Sequence, residues 1–293
     1  MTEGDLIVSA FEEQRPHLRA VAYRMLGSTS EADDAVQEAW LRLSRSDADA
    51  IENLGGWLTT VVARICLNML RSRNSRREQP LDVVHMPDPI VDPIDGTDPE
   101  HEALLADSVG IAMLMVLEKL NPAERLAFVL HDMFGVPFEE IAEIVDRTPD
   151  AARQLASRGR RRLRAADPVA EPDLDAQREV VEAFTAAARE GDFDRLLNVL
   201  HPDVVLRADF GPDREPQEVR GAEAVVAQAS TFAKLGLQGH MVRVNGSIGT
   251  VALLDGKVFS VGAVRVREGR IVEIDFLADP ARLAALDLSW LPA

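Results

Sequence analysis

The sequence predicts a multidomain chain: two all-α modules, a helical bundle and a helix-turn-helix, followed by an α+β domain with an antiparallel sheet. Three patterns predict it. Apolar residues recur with helical period to about residue 77 and again over 104–165. The segment between them is acidic and broken by prolines. Near the C-terminus, short β-like runs are separated by turn dipeptides. A length of 293 residues suits two or three domains.

The elements follow in order. Leu18, Val21, Ala22, Met25 and Leu26 form one helical stripe, Ala35, Val36, Ala39, Trp40 and Leu43 a second, and Leu58, Val61, Val62, Ile65 and Met69 a third. Gly27-Ser28-Thr29-Ser30 parts the first two, with Ser30 as the expected N-cap. Residues 44–56 read as a polar loop. These elements make a first domain over 1–78. Pro80, Pro87, Pro89, Pro93 and Pro99 stand among acids in 79–103, so an extended linker is expected there. A second helical domain spans 104–166, a short linker 167–175, and the α+β domain 176–293. In the last, Met241–Asn245, Ile248–Leu254, Lys257–Arg267 and Arg270–Leu277 read as strands, with Asp255-Gly256 and Glu268-Gly269 as hairpin turns.

Composition excludes several classes. Apolar residues make up 46% of the chain, enough for real cores. Its longest apolar run is far short of the roughly 18 residues a membrane helix needs. The first residues carry acids where a secretory signal carries Lys or Arg, so a cytoplasmic protein is expected. Cys66 is the single cysteine, and the six histidines are scattered, so neither a disulfide framework nor a metal cluster is expected, and no cofactor. The net charge of −17 argues against nucleic acid until its distribution is read. Residues 71–77 hold four Arg and no acid, and residues 158–164 hold five Arg. Screening confines fields to about 10 Å, so such patches still attract phosphate.

The sharpest local signal is FGVPFEEIAEIVDRTPDAARQLASRGRRRLR. Phe138, Ile141, Ala142 and Val145 form the apolar side of a short helix, Asp146-Arg147-Thr148 the turn, and Thr148 with Pro149 the start of a second helix. Ala152, Leu155, Ala156, Gly159 and Leu163 face inward on that helix. Arg153, Gln154, Ser157, Arg158, Arg161 and Arg164 lie off the stripe. In a helix-turn-helix the start of the second helix reads base edges in the major groove, so Arg153, Gln154, Ser157 and Arg158 are the base-facing candidates and the later arginines the phosphate-facing ones.

Thr60, Arg64, Asn68 and Arg71 align on a second face of the helix after Trp57, ending in the basic run. A stacking aromatic, hydrogen-bonding groups and arginines suit single-stranded or unwinding DNA. Glu31, Asp33, Asp34 and Glu38 give the preceding helix an acidic face suited to a basic protein partner.

With these residues in place, the chain resembles the bacterial sigma factors of the extracytoplasmic-function type over residues 10–166. The carrying segments are EADDAVQEAWLRL, GGWLTTVVARICLNMLRSRNSRR and LEKLNPAERLAFVLHDMFGVPFEEIAEIVDRTPDAARQLASRGRRRLR. The resemblance implies that Asp33, Asp34, Gln37 and Glu38 bind the clamp helices of core RNA polymerase. It implies that the loop 44–56, through Asn53, with Trp57, Arg64 and Asn68, captures and melts the −10 element by taking a flipped base. Arg71, Arg73, Arg76 and Arg77 would hold the backbone there, and the helix-turn-helix would read the −35 element. The acidic linker would follow the path of RNA on the polymerase. Arg64 departs from the Asn common in relatives.

Residues from about 176 resemble the SnoaL-like branch of the NTF2-like fold, fused to sigma factors in place of an anti-sigma partner. The resemblance implies a cone-shaped sheet wrapped by helices, contact with the sigma domains and modulation of activity. ADPARL fits a short Asp-Pro motif of that subgroup, while its tryptophan-bearing linker motif is missing from DPVAEPDLD. Asp209, His240 and Asp275 are the candidate pocket residues, although their spacing fits no catalytic motif, and no enzyme activity is expected. Two other readings compete: a ligand-gated helix-turn-helix repressor, and a SnoaL-like isomerase or cyclase tethered to DNA-binding helices. Neither needs both the acidic helix at 31–43 and the helix after Trp57.

Overall fold

The structure is a computed structural model that describes residues 3–46, 51–76, 85–96, 98–105, 110–165, 173–233 and 235–291. It divides into two compact units. No helix among the described residues is long and apolar enough to cross a membrane.

The first unit is helical. α1 (Glu3–Leu26), α2 (Thr29–Leu43) and α3 (Leu54–Arg76) pack against one another, and the three apolar stripes form the seam. Leu18, Val21, Ala22, Met25, Leu26, Ala35, Ala39, Leu58 and Val62 are all buried. Gly27 closes α1 at φ 70°, a left-handed conformation that costs glycine nothing. The chain is therefore extended again at Ser28, whose hydroxyl, rather than that of Ser30, caps α2 by accepting from the Glu31 N–H. α1 also begins well before Phe11 and accommodates Pro16.

The second helical module joins the same unit. α4 (Pro99–Leu105) and α5 (Ile111–Glu118) lead to α6 (Pro122–Phe128), where Asn121 accepts from the Glu124 N–H at 2.9 Å and Pro122 opens the helix. A π-helical turn over Val129–Met133 follows. α7 (Phe138–Val145) and α8 (Pro149–Ala165) form the expected helix-turn-helix. Asp146 takes the left-handed conformation at φ 56°, and the Thr148 hydroxyl accepts from the Ala151 N–H at 3.2 Å. Gly159 brings α8 onto α6: a Cβ there would sit 3.1 Å from the Cβ of Phe128.

The second unit is α+β. α9 (Leu174–Glu190), α10 (Phe193–Val199) and α11 (Ala222–Ala233) cover one face of a seven-stranded sheet. Its strands are β1 (Val91–Asp92), β2 (Leu200–Asp209), β3 (Gln217–Arg220), β4 (Gln238–Val244), β5 (Ser247–Leu254), β6 (Lys257–Arg267) and β7 (Arg270–Leu277), in spatial order β1-β4-β5-β6-β7-β2-β3. α12 (Pro280–Ala284) ends the fold. Asn245-Gly246, Asp255-Gly256 and Glu268-Gly269 all have positive φ at both residues, the geometry that lets a two-residue hairpin follow the strand twist.

Two expectations are corrected. The sheet is mixed, because β2 pairs parallel with β7. The chain leaves β2 through β3 and α11, then returns by the β4–β7 meander. That long crossover, unlike a hairpin, delivers β7 beside β2 in the same direction. The acidic linker is also not extended throughout: it carries α4, and β1 within it pairs antiparallel with β4. Ile90 exchanges hydrogen bonds with Asn245, the Ile90 N–H donating to the Asn245 side chain and its carbonyl accepting from the Asn245 N–H. Prolines flank this short strand without removing the donors it uses.

Val181, Leu196, Leu206, Val225, Ile248, Val264 and Ile274 make the core between helices and sheet. At Gly249 a Cβ would meet the Gly262 carbonyl oxygen at 2.4 Å, so adjacent strands interlock there through their glycines. Gly249→Ala is expected to destabilise the second unit by about 2 kcal/mol, read as a fall in Tm by calorimetry.

Candidate nucleic-acid interface

On α8 the inward stripe holds: Ala152, Leu155, Ala156 and Gly159 are buried. Arg153, Gln154, Ser157, Arg158, Arg161 and Arg164 are exposed. Their exposure conceals a division of labour. Arg158 and Arg162 both pair with the carboxylate of Glu124 on α6, at 2.9 and 3.1 Å, and only 3% of that side chain is exposed. Arg160 pairs with Asp132 at 2.8 Å. Three arginines of the basic run thus bind α8 to its scaffold. Arg153, Gln154, Ser157, Arg161 and Arg164 present the outer face. Arg153 lies over the Phe138 ring and pairs with Asp150 and Glu139, side chains that are themselves exposed.

Sequence reasoning missed Glu124. Asn121-Pro-Ala-Glu has the spacing of a capping box, which explains a glutamate at this position but not its burial. The signal available was the absence of any other acid between Pro122 and His131 to face a run of five arginines.

On α3, Arg64, Asn68 and Arg71 are exposed in line and Trp57 is half-buried at the start. Asn53 precedes the helix and accepts from the Gly56 N–H at 3.0 Å, holding the loop's last turn. Arg64 donates to the Glu143 carbonyl of α7 at 3.3 Å. Arg73 turns inward: it donates to the Leu26 carbonyl at 3.2 Å and pairs with Glu31, fastening α3 to the α1–α2 junction. Arg76 is the last residue of α3. Arg77 and residues 47–50 of the loop lie outside the described residues. On α2, Asp33, Asp34 and Gln37 are exposed, Asp33 pairing with Arg19 at 2.6 Å and Glu38 with Arg42 at 3.0 Å.

In the second unit the register decides what Asp209, His240 and Asp275 can do. Paired residues run His240, Val251, Val261, Leu277, Asp209 across five strands. Cross-strand partners share a face, and Asp275, two residues before Leu277, lies on it too. The three are therefore on the sheet face opposite α9, α10 and α11. His240 and Asp209 stand four strand spacings apart, roughly 19 Å along the sheet.

Each aspartate has its own partners. Asp275 pairs with Arg207 at 3.1 Å, and burial nonetheless pushes its carboxyl up to about 6. Asp209 is the hub of a clamp on the linker, and it accepts from His85, from the N–H groups of Met86 and Gly211, and from Arg282. Burial raises this carboxyl, but those hydrogen bonds, with His85 foremost, outweigh it and hold it at about 2. Arg282 also pairs with Asp88 at 2.6 Å and donates to the Met86 carbonyl. Asp279 caps α12 and so aims Arg282 back across the linker. Arg282 of α12 and Asn245 of the β4–β5 turn, which grip the linker together with Asp209, went unread in the sequence; Arg282 lies within the ADPARL motif.

Comparison with known proteins identifies both helical modules. Residues 10–76 match the Sigma-70 region 2 family and residues 111–163 the Sigma-70 region 4 family. The chain is 39% identical over 296 residues to the ECF RNA polymerase sigma factor SigJ of Mycobacterium tuberculosis, covering 96% of this chain and 94% of that one. The crystal structure of the M. tuberculosis sigma factor SigJ superposes with a TM-score of 0.74 at 34% identity, covering 96% and 99% of the two chains. The repressor reading falls with this match, because the similarity runs through the acidic α2 and the whole of α3. The chain belongs to the extracytoplasmic-function family of RNA polymerase sigma factors, promoter-specificity subunits that act with core RNA polymerase on promoter DNA and are not themselves enzymes.

Proposed function

We propose that α3 and α8 are the two promoter readers of this sigma factor. The exposed Arg64–Asn68–Arg71 line, with Trp57 and Asn53 at its mouth, melts and holds the −10 element. Arg153, Gln154 and Ser157 read −35 bases, Arg161 and Arg164 hold phosphates, and Arg158 keeps the helix at its angle. The exposed acids of α2 dock on core polymerase. The observation that carries this reading is the partition of the basic run on α8, where three arginines are spent inward and a coherent polar face remains outward.

The same proposal gives the C-terminal domain a regulatory role exercised through the linker, without catalysis. Asp209 and Asp275 are engaged by Arg282 and Arg207, which leaves neither placed as a free general base. Their ion pairs instead fix the linker and the sheet that receives it. Because the Asp209 carboxyl is depressed from 3.8 to about 2, its share of the grip is complete above about pH 4 and is lost as pH falls toward 2.

Three outcomes test these assignments. Arg153→Ala lowers affinity for a −35 duplex about tenfold or more, as loss of a bidentate base contact does, while co-elution with core polymerase is unchanged. Arg158→Ala lowers the same affinity and also the Tm of the first unit, because the Glu124 carboxylate keeps only Arg162 as its partner; an unchanged Tm would show that α8 is not seated this way. Arg282→Ala speeds hydrogen exchange at the Met86 and Ile90 amides and changes the amount of run-off transcript without changing which promoter is used.

A further inference from the structure

The two reader helices lie in one compact unit, and the helical modules that carry them touch. Arg64 of α3 donates to the Glu143 carbonyl of α7, the first helix of the helix-turn-helix. Arg125 of α6 reaches the end of α1, its guanidinium donating twice to the Arg24 carbonyl at 3.2 and 3.1 Å. Phe134 meets the edge of the His17 ring and lies under the Arg24 guanidinium. The promoter elements these helices serve are, by their names, about 25 base pairs apart, roughly 85 Å of duplex at 3.4 Å per base pair. One arrangement cannot do both.

What limits separation is the course of the chain between the modules. α4 packs on α1, with Leu104 buried and Glu100 of α4 3.6 Å from Arg19, the residue that also holds Asp33. From the end of α4 to the start of α5 the chain has only residues 106–110. Fully extended, those residues span roughly 20 Å. While α4 stays on α1, the helix-turn-helix therefore cannot leave α1 by more than about a quarter of the distance required. Counted from the end of α3 instead, residues 77–110 extend to roughly 110 Å, which suffices.

We propose that α4 is a strap: seated on α1 it keeps the two reader helices together in a state that cannot span a promoter, and its release is a required step in holoenzyme assembly. The proposal rests on α3 and α8 being the readers. The contact between the modules is held by a buried cation. Arg125 is buried, and its two hydrogen bonds go to a neutral carbonyl, so desolvation pulls its pKa down to about 10. A buried cation satisfied in this way specifies a geometry more than it stabilises one. Binding to core polymerase need supply only the differential affinity between the two states.

Arg19→Cys with Glu100→Cys, joined by a short bismaleimide, pins the strap in the full-length chain. Cys66 is buried, with its thiol pushed up to about 12 by desolvation, so it does not compete for the reagent. The uncross-linked double variant is the reference and tests the reader assignment separately through its own promoter-dependent run-off transcript. Cross-linking is expected to lower that transcript about tenfold or more. Inserting about 30 Gly/Ser residues between Ser108 and Val109, up to roughly 100 Å of added reach, restores transcription with the cross-link in place. A cross-linked chain that transcribes like its reference overturns the proposal, as does an insertion that restores nothing.

Discussion

The buried carboxylate of Glu124 decides which way the arginines of α8 face. The apolar stripe of α8 sets its inward side, but five arginines in seven residues leave open which of them lean inward along its flanks. A single acid sealed between α6 and α8 breaks that degeneracy. Leaving it unpaired would cost several kcal/mol, so Arg158 and Arg162 are drawn to it and the helix is fixed in rotation about its axis. Gly159, between them, sets the interaxial distance by allowing α8 onto Phe128. Rotation and distance together determine which side chains remain outside. The outward face of α8 is thus a consequence of how its inward charges are satisfied.

The same logic recurs in the second unit, where a charged clamp takes hold of a segment that composition marks as a free linker. Within residues 85–92, Met86, Pro87, Pro89, Ile90 and Val91 are buried against the second unit. Arg282 converts that burial into a defined seat by bridging Asp88, Asp209 and the Met86 carbonyl. Asn245 adds a backbone-like hydrogen bond at the sheet edge. An edge strand filled by the chain's own linker is also an edge closed to other strands. The acids that make the linker repel itself when free give the clamp something to hold.

Much of this fold is legible in the sequence because its signals are local. The stripes of α1 to α3, the turn before α8 and the Asp-Gly and Glu-Gly hairpins are each written within about ten residues. The polar face left on α8 is legible for the same reason. What was not legible is non-local. The parallel pairing of β2 with β7 joins segments some seventy residues apart, and β2, reading as HPDVVLRADFG, carries a proline and charges that disguise a strand. β1 and Asn245 are farther apart still, and nothing in MPDPIVD alone announces a strand two residues long. His240, Asp209 and Asp275 were grouped by residue type. The register separates them, because strand order, invisible in the sequence, places three strands between two of them.

Connectivity then ties these local and non-local pieces into one constraint. A pair of DNA-reading helices joined by a long polymer could separate freely, with an entropic cost that rises only slowly with length. Pinning part of that polymer changes the problem from entropy to geometry. Once α4 lies on α1, the reach is set by a handful of residues, and no fluctuation of the remaining linker extends it. The linker is held at two places by two kinds of contact: β1 with the Arg282 clamp on the sheet, and α4 on the first helix. The length available for spanning a promoter is therefore not a property of the linker sequence. With α4 as the strap, it is set by whether the seat on α1 is occupied.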